Sequence, residues 1–407
     1  MKGLSYRHTV AACYAGYITQ AIVNNLGSLL LLTFQRQFDV SLGKLALLVS
    51  LNFIVQLLVD LAAVKFVDRI GYRTAAVSAH VFCTAGLLLM GTLPFVMPPY
   101  TGLVIAVVIN ALGGGLLEVI VSPIVEALPT GNKSAAMALL HSFYCWGYVG
   151  VVLLSTLYFT TIGTADWRYL PLLWAALPFV NIFLFAAVPM KSLSGEGAVK
   201  AFPVRFLFSK KVFVVLFVMM IASGASEQAM SQWASLFAEA GLKVSKTAGD
   251  LLGPCAFAFL MGLSRVFFGS RKVELELERI LFGAAALCLA SYFLAVFSPY
   301  PFLSLAGCAV SGLSVGIMWP GTFSLASRVF PTGGTAMFAL LALAGDVGCA
   351  AGPGLAGAVM NRTTLKTGVL AAAVFPLVLA AGVVLLGLAV RGGKSPSPGR
   401  DCPGDAR

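Results

Sequence analysis

The chain has 407 residues, of which 59% are hydrophobic and only 11% charged, and its mean hydropathy is +0.93. A soluble domain of that length needs far more charge on its surface, so the composition excludes one. The net charge of +11 is no sign of a nucleic-acid partner, because the bases cluster at the ends of apolar segments, as membrane topology requires.

Apolar runs long enough to cross a bilayer recur along the whole length. They predict twelve spanning helices at roughly 9–34, 42–67, 74–96, 100–125, 135–160, 168–190, 210–238, 246–268, 278–297, 301–327, 335–360 and 367–390. The short alternating strands of a transmembrane barrel are not seen in the sequence. The first run is too long for a cleavable signal peptide and is read as an uncleaved helix. The expected fold class is an all-α, multi-pass membrane protein of the inner (plasma) membrane. With both termini placed in the cytoplasm, 20 of the 27 Lys and Arg fall on the inner side and 7 on the outer, the positive-inside bias. An anionic leaflet is the expected neighbour of the inner bases.

Helix 1 carries Tyr17, Gln20, Asn24 and Ser28 at helical spacing, with Asn25 beside them. Helix 2 carries Asn52, Gln56 and Asp60, helix 4 carries Asn110, Gly114, Glu118 and Ser122, and helix 5 offers His141, Tyr144, Cys145 and Tyr148. Each is a polar stripe on an apolar cylinder. Such stripes converge on a water-accessible cavity; the plainer alternative is hydrogen-bonding glue between helices. Between helices 2 and 3 the sequence VDRIGYR supplies Asp68, Arg69, Gly71 and Arg73. The acid can cap a neighbouring helix N-terminus while the Arg residues bind carbonyls or other acids, and simple anchoring needs no acid, so this turn is expected to act as a gate on the inner face.

The stretch 191–209 is the longest internal connection. It divides the chain into a first six-helix half (1–190) and a second (210–390), followed by a disordered cytoplasmic tail (391–407). Helix 7 carries Glu227, Gln228, Ser231 and Gln232, helix 10 carries Trp319 and Pro320, and helix 11 carries Asp346 in a glycine-rich run. A weak repeat supports the division. Pro129-Thr130-Gly131 recurs as Pro331-Thr332-Gly333, Ala136-Met137 as Ala336-Met337, and Arg69 has a counterpart in Arg265, placed at the inner end of helix 8. Two half-chain repeats in the same orientation, with a site at the midplane between them, are a known transporter plan.

Asp60, Glu118, Glu227 and Asp346 fall well inside predicted helices, and no Lys or Arg is expected at that depth. Acids in excess of bases inside a membrane suit proton handling or the binding of a cation. Glu118, Asp60 and His141 are therefore the expected proton-coupling groups. Solute binding is expected from Asn24, Asn25, Gln56, Glu118, Tyr144, Glu227, Gln228, Ser231 and Trp319. Asp60 and Asp346 read equally well as partners at the seam between the halves, and His141 as a neutral packing residue. Trp319 is more often packing than a stacking platform. Seven of eight cysteines lie in predicted helices and Cys402 in the tail, so no disulfide framework is expected. No CxxC or HxxxH spacing suggests a metal, no P-loop suggests ATP drive, and no cofactor is expected.

The VDRIGYR turn resembles the signature of the major facilitator superfamily, matching at Asp68, Arg69, Gly71 and Arg73, with Val64 where that family has a glycine. LLEVIVSPIVEAL is similar to the fourth-helix pattern of the fucose/sugar symporter branch at Glu118 and Pro123, with Ser122 in place of its Asn. HSFYCWG and NNLGSLL resemble that branch's fifth and first helices, with Asn25 standing where the first helix has an acid, and GASEQAMSQW resembles the seventh helix of related members. The resemblance implies a proton-coupled, alternating-access carrier with Glu118 in its cavity. The expected function is secondary transport of a small polar solute, a sugar in the first instance, by a monomer that is not an enzyme. The alternative is a proton-coupled exporter of organic cations or drugs, although WGYVGVVLL on helix 5 does not match the glycine-rich signature of antiporters.

Overall fold

A computed structural model describes residues 4–129, 133–190, 204–270, 277–330 and 334–391. Among the described residues every element is helical. Twelve helices are long and apolar enough to cross a membrane. The first six are α1 (Tyr6–Phe38), α2 (Leu42–Ala63), α3 (Tyr72–Phe95), α4 (Pro99–Ala127), α5 (Leu139–Thr161) and α6 (Tyr169–Ala187). The last six are α7 (Lys211–Gly241), α8 (Lys246–Phe268), α9 (Leu277–Phe297), α10 (Pro301–Val329), α11 (Met337–Met360) and α12 (Leu365–Leu388). The expected spans are all present, with ends displaced by a few residues. The linker residues 191–203 and the tail from 392 lie outside the described residues.

Local chemistry accounts for the helix ends. Pro99 and Pro301 open α4 and α10, where the missing N–H costs no hydrogen bond. Ser41, Ser245 and Thr364 accept bonds from the first-turn amides of Lys44, Ala248 and Thr367. The helix of α2 runs on to Ile70 and stops at Gly71, whose φ of 80° is left-handed and suits only glycine without strain. Within α6, Pro178 has no N–H to offer the carbonyl one turn back, and the helix is interrupted at Ala175. Short π-helical stretches at Phe237–Gly241 and Leu251–Cys255 loosen the facing ends of α7 and α8.

The first six helices pack mainly on one another, through α3 with α4, α2 with α4, and α1 with α5. The last six do the same, through α7 with α11, α9 with α10, and α8 with α10. The two groups meet along α2 with α11, α5 with α8, and α1 with α7. At α7–α11 the backbones touch: a Cβ on Gly348 would overlap the Ile221 carbonyl. Small residues permit such approach where hydrophobic burial offers no gain over lipid. Leu153, Leu154 and Leu157 on α5, and Phe179, Val180 and Phe183 on α6, are exposed, forming a lipid-facing exterior.

On the face away from the termini, contacts between the two groups of helices close the seam. Arg36 Nη1 meets Glu239 Oε1 at 2.8 Å. The Gly43 amide donates to Asn361 Oδ1 at 2.9 Å. Lys246 Nζ donates to the Leu29 carbonyl at 2.8 Å while paired with Asp250 at 3.0 Å.

Candidate functional site

Below this closure a cavity of about 570 Å³ lies between the two groups of helices. Its wall includes Phe268, Leu277 and Arg328, at helix ends on the face that carries the termini, so the cavity runs toward that face. Polar residues line its deep part: Tyr17, Gln20 and Asn24 from α1, Gln56 from α2, Glu118 from α4, His141 and Tyr144 from α5, and Glu227 and Gln228 from α7.

Six of them, Gln20, Asn24, Gln56, Glu118, Glu227 and Gln228, belong to one hydrogen-bonded path. Gln20 Nε2 donates to Glu118 Oε2 at 3.3 Å and to Gln56 Oε1 at 2.8 Å. Gln56 Nε2 donates to Asn24 Oδ1 at 2.8 Å, joined there by Asn52 at 3.2 Å. The path crosses the seam where Gln232 Nε2 donates to the Asn24 carbonyl at 3.0 Å. It continues from Gln232 to Gln228 at 3.1 Å, from Gln228 to Glu227 at 3.4 Å, and ends in the Glu227–Arg265 pair at 3.1 Å. Amides can donate and accept at once, so a row of them transmits a bonding pattern without a buried charge at each step.

Arg265 corrects the expectation that no base reaches the depth of the acids. It sits on the cavity wall in the last turn of α8, where the sequence placed it, and from there reaches Glu227. Its guanidinium is fixed in charge, so Glu227 is an ion-pair partner before any solute arrives. The apolar residues on either side of Arg265, Met261 to Leu263 and Val266 to Phe268, were the signal for a base inside the span. Gln20 and Gln232 were in the stripes but not among the expected ligands, and both are links in the path.

Asp60, Glu118 and Asp346 converge, one carboxylate oxygen from each lying within 4.8 Å of the others. Asp60 and Glu118 come from α2 and α4, and Asp346 from α11, so this cluster also spans the seam. His141 reaches the cavity with its ring 5.3 Å from that of Tyr17. The Tyr17 hydroxyl bonds Ser122, one turn beyond Glu118, at 2.9 Å. Trp319 lies on the wall with its indole over Gly345, where a Cβ would collide with the ring.

Three expectations are displaced. Asn25 and Ser231 are buried away from the cavity wall: Ser231 bonds Tyr148 at 3.0 Å and Asn25 at 3.4 Å, across the closed seam. They are therefore part of the closure and not solute ligands in this conformation. Asn110, 2% exposed, backs onto Gly86 of α3. Residues four apart advance about 40° around a helix, so the three steps from Ser122 back to Asn110 carry it off the cavity face. Arg73, expected at a gate, donates to the Phe185, Ala186 and Val188 carbonyls at 2.7–2.9 Å. It caps α6 within its own group of helices. Arg69 is exposed, and the Asp68 side chain lies outside the described residues. The seven described cysteines are unpaired and buried.

The sequence profile described as Major Facilitator Superfamily matches residues 13–353. Membrane protein MosC of Rhizobium meliloti is 24% identical over 349 residues, covering 85% of this chain and 80% of MosC. Among solved structures, a D-xylose-proton symporter superposes with a TM-score of 0.78 at 12% identity, covering 94% of this chain and 97% of that one. The fucose:proton symporter FucP of E. coli, solved as a single-substitution variant, gives 0.64 at 14% identity, covering 94% and 99% respectively. At these identities the structures establish a shared fold.

Proposed function

The chain belongs to the Major Facilitator Superfamily, and from that premise we propose that it carries a small polar solute, a sugar in the first instance, across the membrane together with protons. The observation that supports this best is the polar cavity at the seam, open toward the termini and closed on the opposite face by bonds between the two groups of helices. A solute held there contacts both groups. It can therefore favour the rearrangement that opens the other side, since a ligand shifts an equilibrium by its differential affinity for the two states. Amides of Gln20, Asn24, Gln56 and Gln228, with the Trp319 indole, suit hydroxyl groups, which need donors and acceptors together with an apolar face. The symporters that share the fold are named for D-xylose and fucose.

In this reading Glu118 is the main proton-coupling group, with Asp60 and His141 beside it. The protein works as a monomer with its termini in the cytoplasm, so the described conformation faces inward. A second reading, export of organic cations, is favoured by the acids of the Asp60–Glu118–Asp346 cluster near Tyr17. Uptake into proteoliposomes, screened with sugars and organic cations under an imposed pH gradient, tests both. In Glu118→Gln, which mimics a permanently protonated carboxyl, solute-for-solute exchange should survive while pH-driven accumulation is lost. Undiminished accumulation by the variant would remove Glu118 from the coupling role, and pH-driven movement of cations but no sugar would favour export.

A further inference from the structure

The second group of helices holds a void of its own. Among the described residues, α8 and α9 each pack along α10 but scarcely touch one another. The gap between them is a groove of about 730 Å³, floored by α10 at Leu313, Ser314 and Ile317. Its rim continues the lipid-facing exterior: Leu263, Val266 and Phe267 of α8 and Leu287 of α9 are 39–48% exposed. Gly283 of α9 stands on the wall with nothing within 4 Å of where a Cβ would be, so the groove is open there. Helix α9 begins at Leu277 on the face that carries the termini, and the rise from there to Leu287 is about 15 Å. That is the hydrocarbon depth of one leaflet, half of about 30 Å.

The lining cannot hold a water molecule, which needs about two to four polar partners. Its polar side chains are Ser264 and Ser314, each 2% exposed. The Ser314 hydroxyl donates to the Ser311 carbonyl at 2.6 Å, and Ser264 Oγ is packed 2.7 Å from where a Cβ on Gly316 would stand. At that depth the surroundings supply hydrocarbon and no water. The groove also backs onto the central cavity, because Phe268 and Ile317 line both. Phe267, on the groove side, meets Phe268 edge-on with ring centroids 5.3 Å apart.

We propose that the groove between α8 and α9 seats one acyl chain of a bilayer phospholipid, drawn from the leaflet on the side of the termini, and that this chain backs the Phe268–Ile317 wall of the central cavity. A seated chain gives Leu263, Phe267 and Leu313 the dispersion contacts that an unfilled gap denies them. It also leaves Phe267 and Phe268 no room to swing outward, so a lipid sets the width of the cavity on that side. Any effect of that width on solute choice rests on the transporter reading; the seat itself does not.

Full-length protein is reconstituted in phosphatidylcholine vesicles containing a small fraction of phosphatidylcholine with a diazirine at the end of one acyl chain. Illumination and peptide mapping then locate the adducts. Leu313 is expected to be labelled several-fold more than Leu154 of α5, although Leu154 is the more exposed, at 56% against 38%. In Gly283→Leu, whose side chain fills the groove from the α9 wall, labelling of Leu313 should fall to the level of Leu154. Equal labelling of the two leucines in the wild-type protein, or labelling of Leu313 unchanged in the variant, overturns the seat. A second measurement needs no variant to fold. Delipidated wild-type protein in detergent is titrated with dioleoyl phosphatidylcholine, or with dihexanoyl phosphatidylcholine, whose headgroup is the same but whose chains are too short to fill the groove. The long-chain lipid should raise the Tm saturably by about 3 °C or more, and the short-chain lipid should not. No rise with the long-chain lipid, or an equal rise with both, overturns the proposal. No solute enters either assay, so failure here leaves solute transport standing, and failure of solute transport leaves the lipid seat standing.

Discussion

Glu227 and Arg265 show how one side chain redefines another. As an unpaired acid in a span, Glu227 would have been a direct candidate for proton traffic. Paired at 3.1 Å with a guanidinium, with side chains 8% and 20% exposed, it is a fixed dipole at the end of the amide path. Removing one partner of a fully buried pair costs about 3–5 kcal/mol, because the other charge is stranded. The part-exposed Arg265 should cost less than that. Arg265→Met alone is therefore expected to lower the Tm more than the double variant Glu227→Gln/Arg265→Met, in which no charge is left unpaired. Thermal unfolding of the two variants and of Glu227→Gln decides it; a double variant less stable than Arg265→Met would show that the pair does not act as a unit.

At the scale of elements, the turn after α2 has a structural task. Arg73, in the first turn of α3, places its guanidinium on three carbonyls at the C-terminal end of α6. Those are among the last carbonyls of a helix, which lack intrahelical donors and carry the negative end of its dipole. A base on α3 thus holds the end of α6 in place, and hydrogen bonds to a charged group are worth about 1.5–3 kcal/mol each when buried. Here they are partly exposed and shared, so Arg73→Ala should cost on the order of 2 kcal/mol. It is expected to lower Tm and yield while leaving solute affinity in the surviving protein unchanged. Arg73→Lys, with a single point of contact, should recover only part of the loss. A variant of wild-type Tm that fails to transport would assign Arg73 a gating role.

For the whole molecule, the closed face makes the alternating-access reading testable. The ideal Cβ position of Gly43 stands 3.0 Å from the Asn361 Cγ, across the seam. Cysteines at these two positions are close enough to bridge. Oxidised Gly43→Cys/Asn361→Cys should lose transport, and reduction should restore it. Transport at the wild-type rate with the bridge formed would mean this face need not open. Sidedness is a separate expectation, drawn from the charge bias and not from the packing. Ser194→Cys in the linker should resist an impermeant thiol reagent applied to intact cells and react in inverted vesicles. Labelling from outside would reverse the orientation and turn the cavity outward.

Hydropathy alone determined the fold class and the number of spans, because a bilayer obliges each crossing to be a continuous apolar helix. The VDRIGYR turn pointed to the superfamily that the profile match confirms. Helical spacing brought Tyr17, Gln20, Asn24, Gln56 and Glu118 to the cavity, because neighbours on one helix face stay together over a turn or two. It failed over longer stretches, as with Asn110, where four-residue steps drift around the axis. Only the tertiary structure decided the pairings between helices far apart in the chain. It set Arg265 against Glu227, Asp346 beside Asp60 and Glu118, and Ser231 with Asn25 in the closure. Such pairings depend on the depth and rotation of each helix, and these are set by packing contacts that no single helix's sequence encodes.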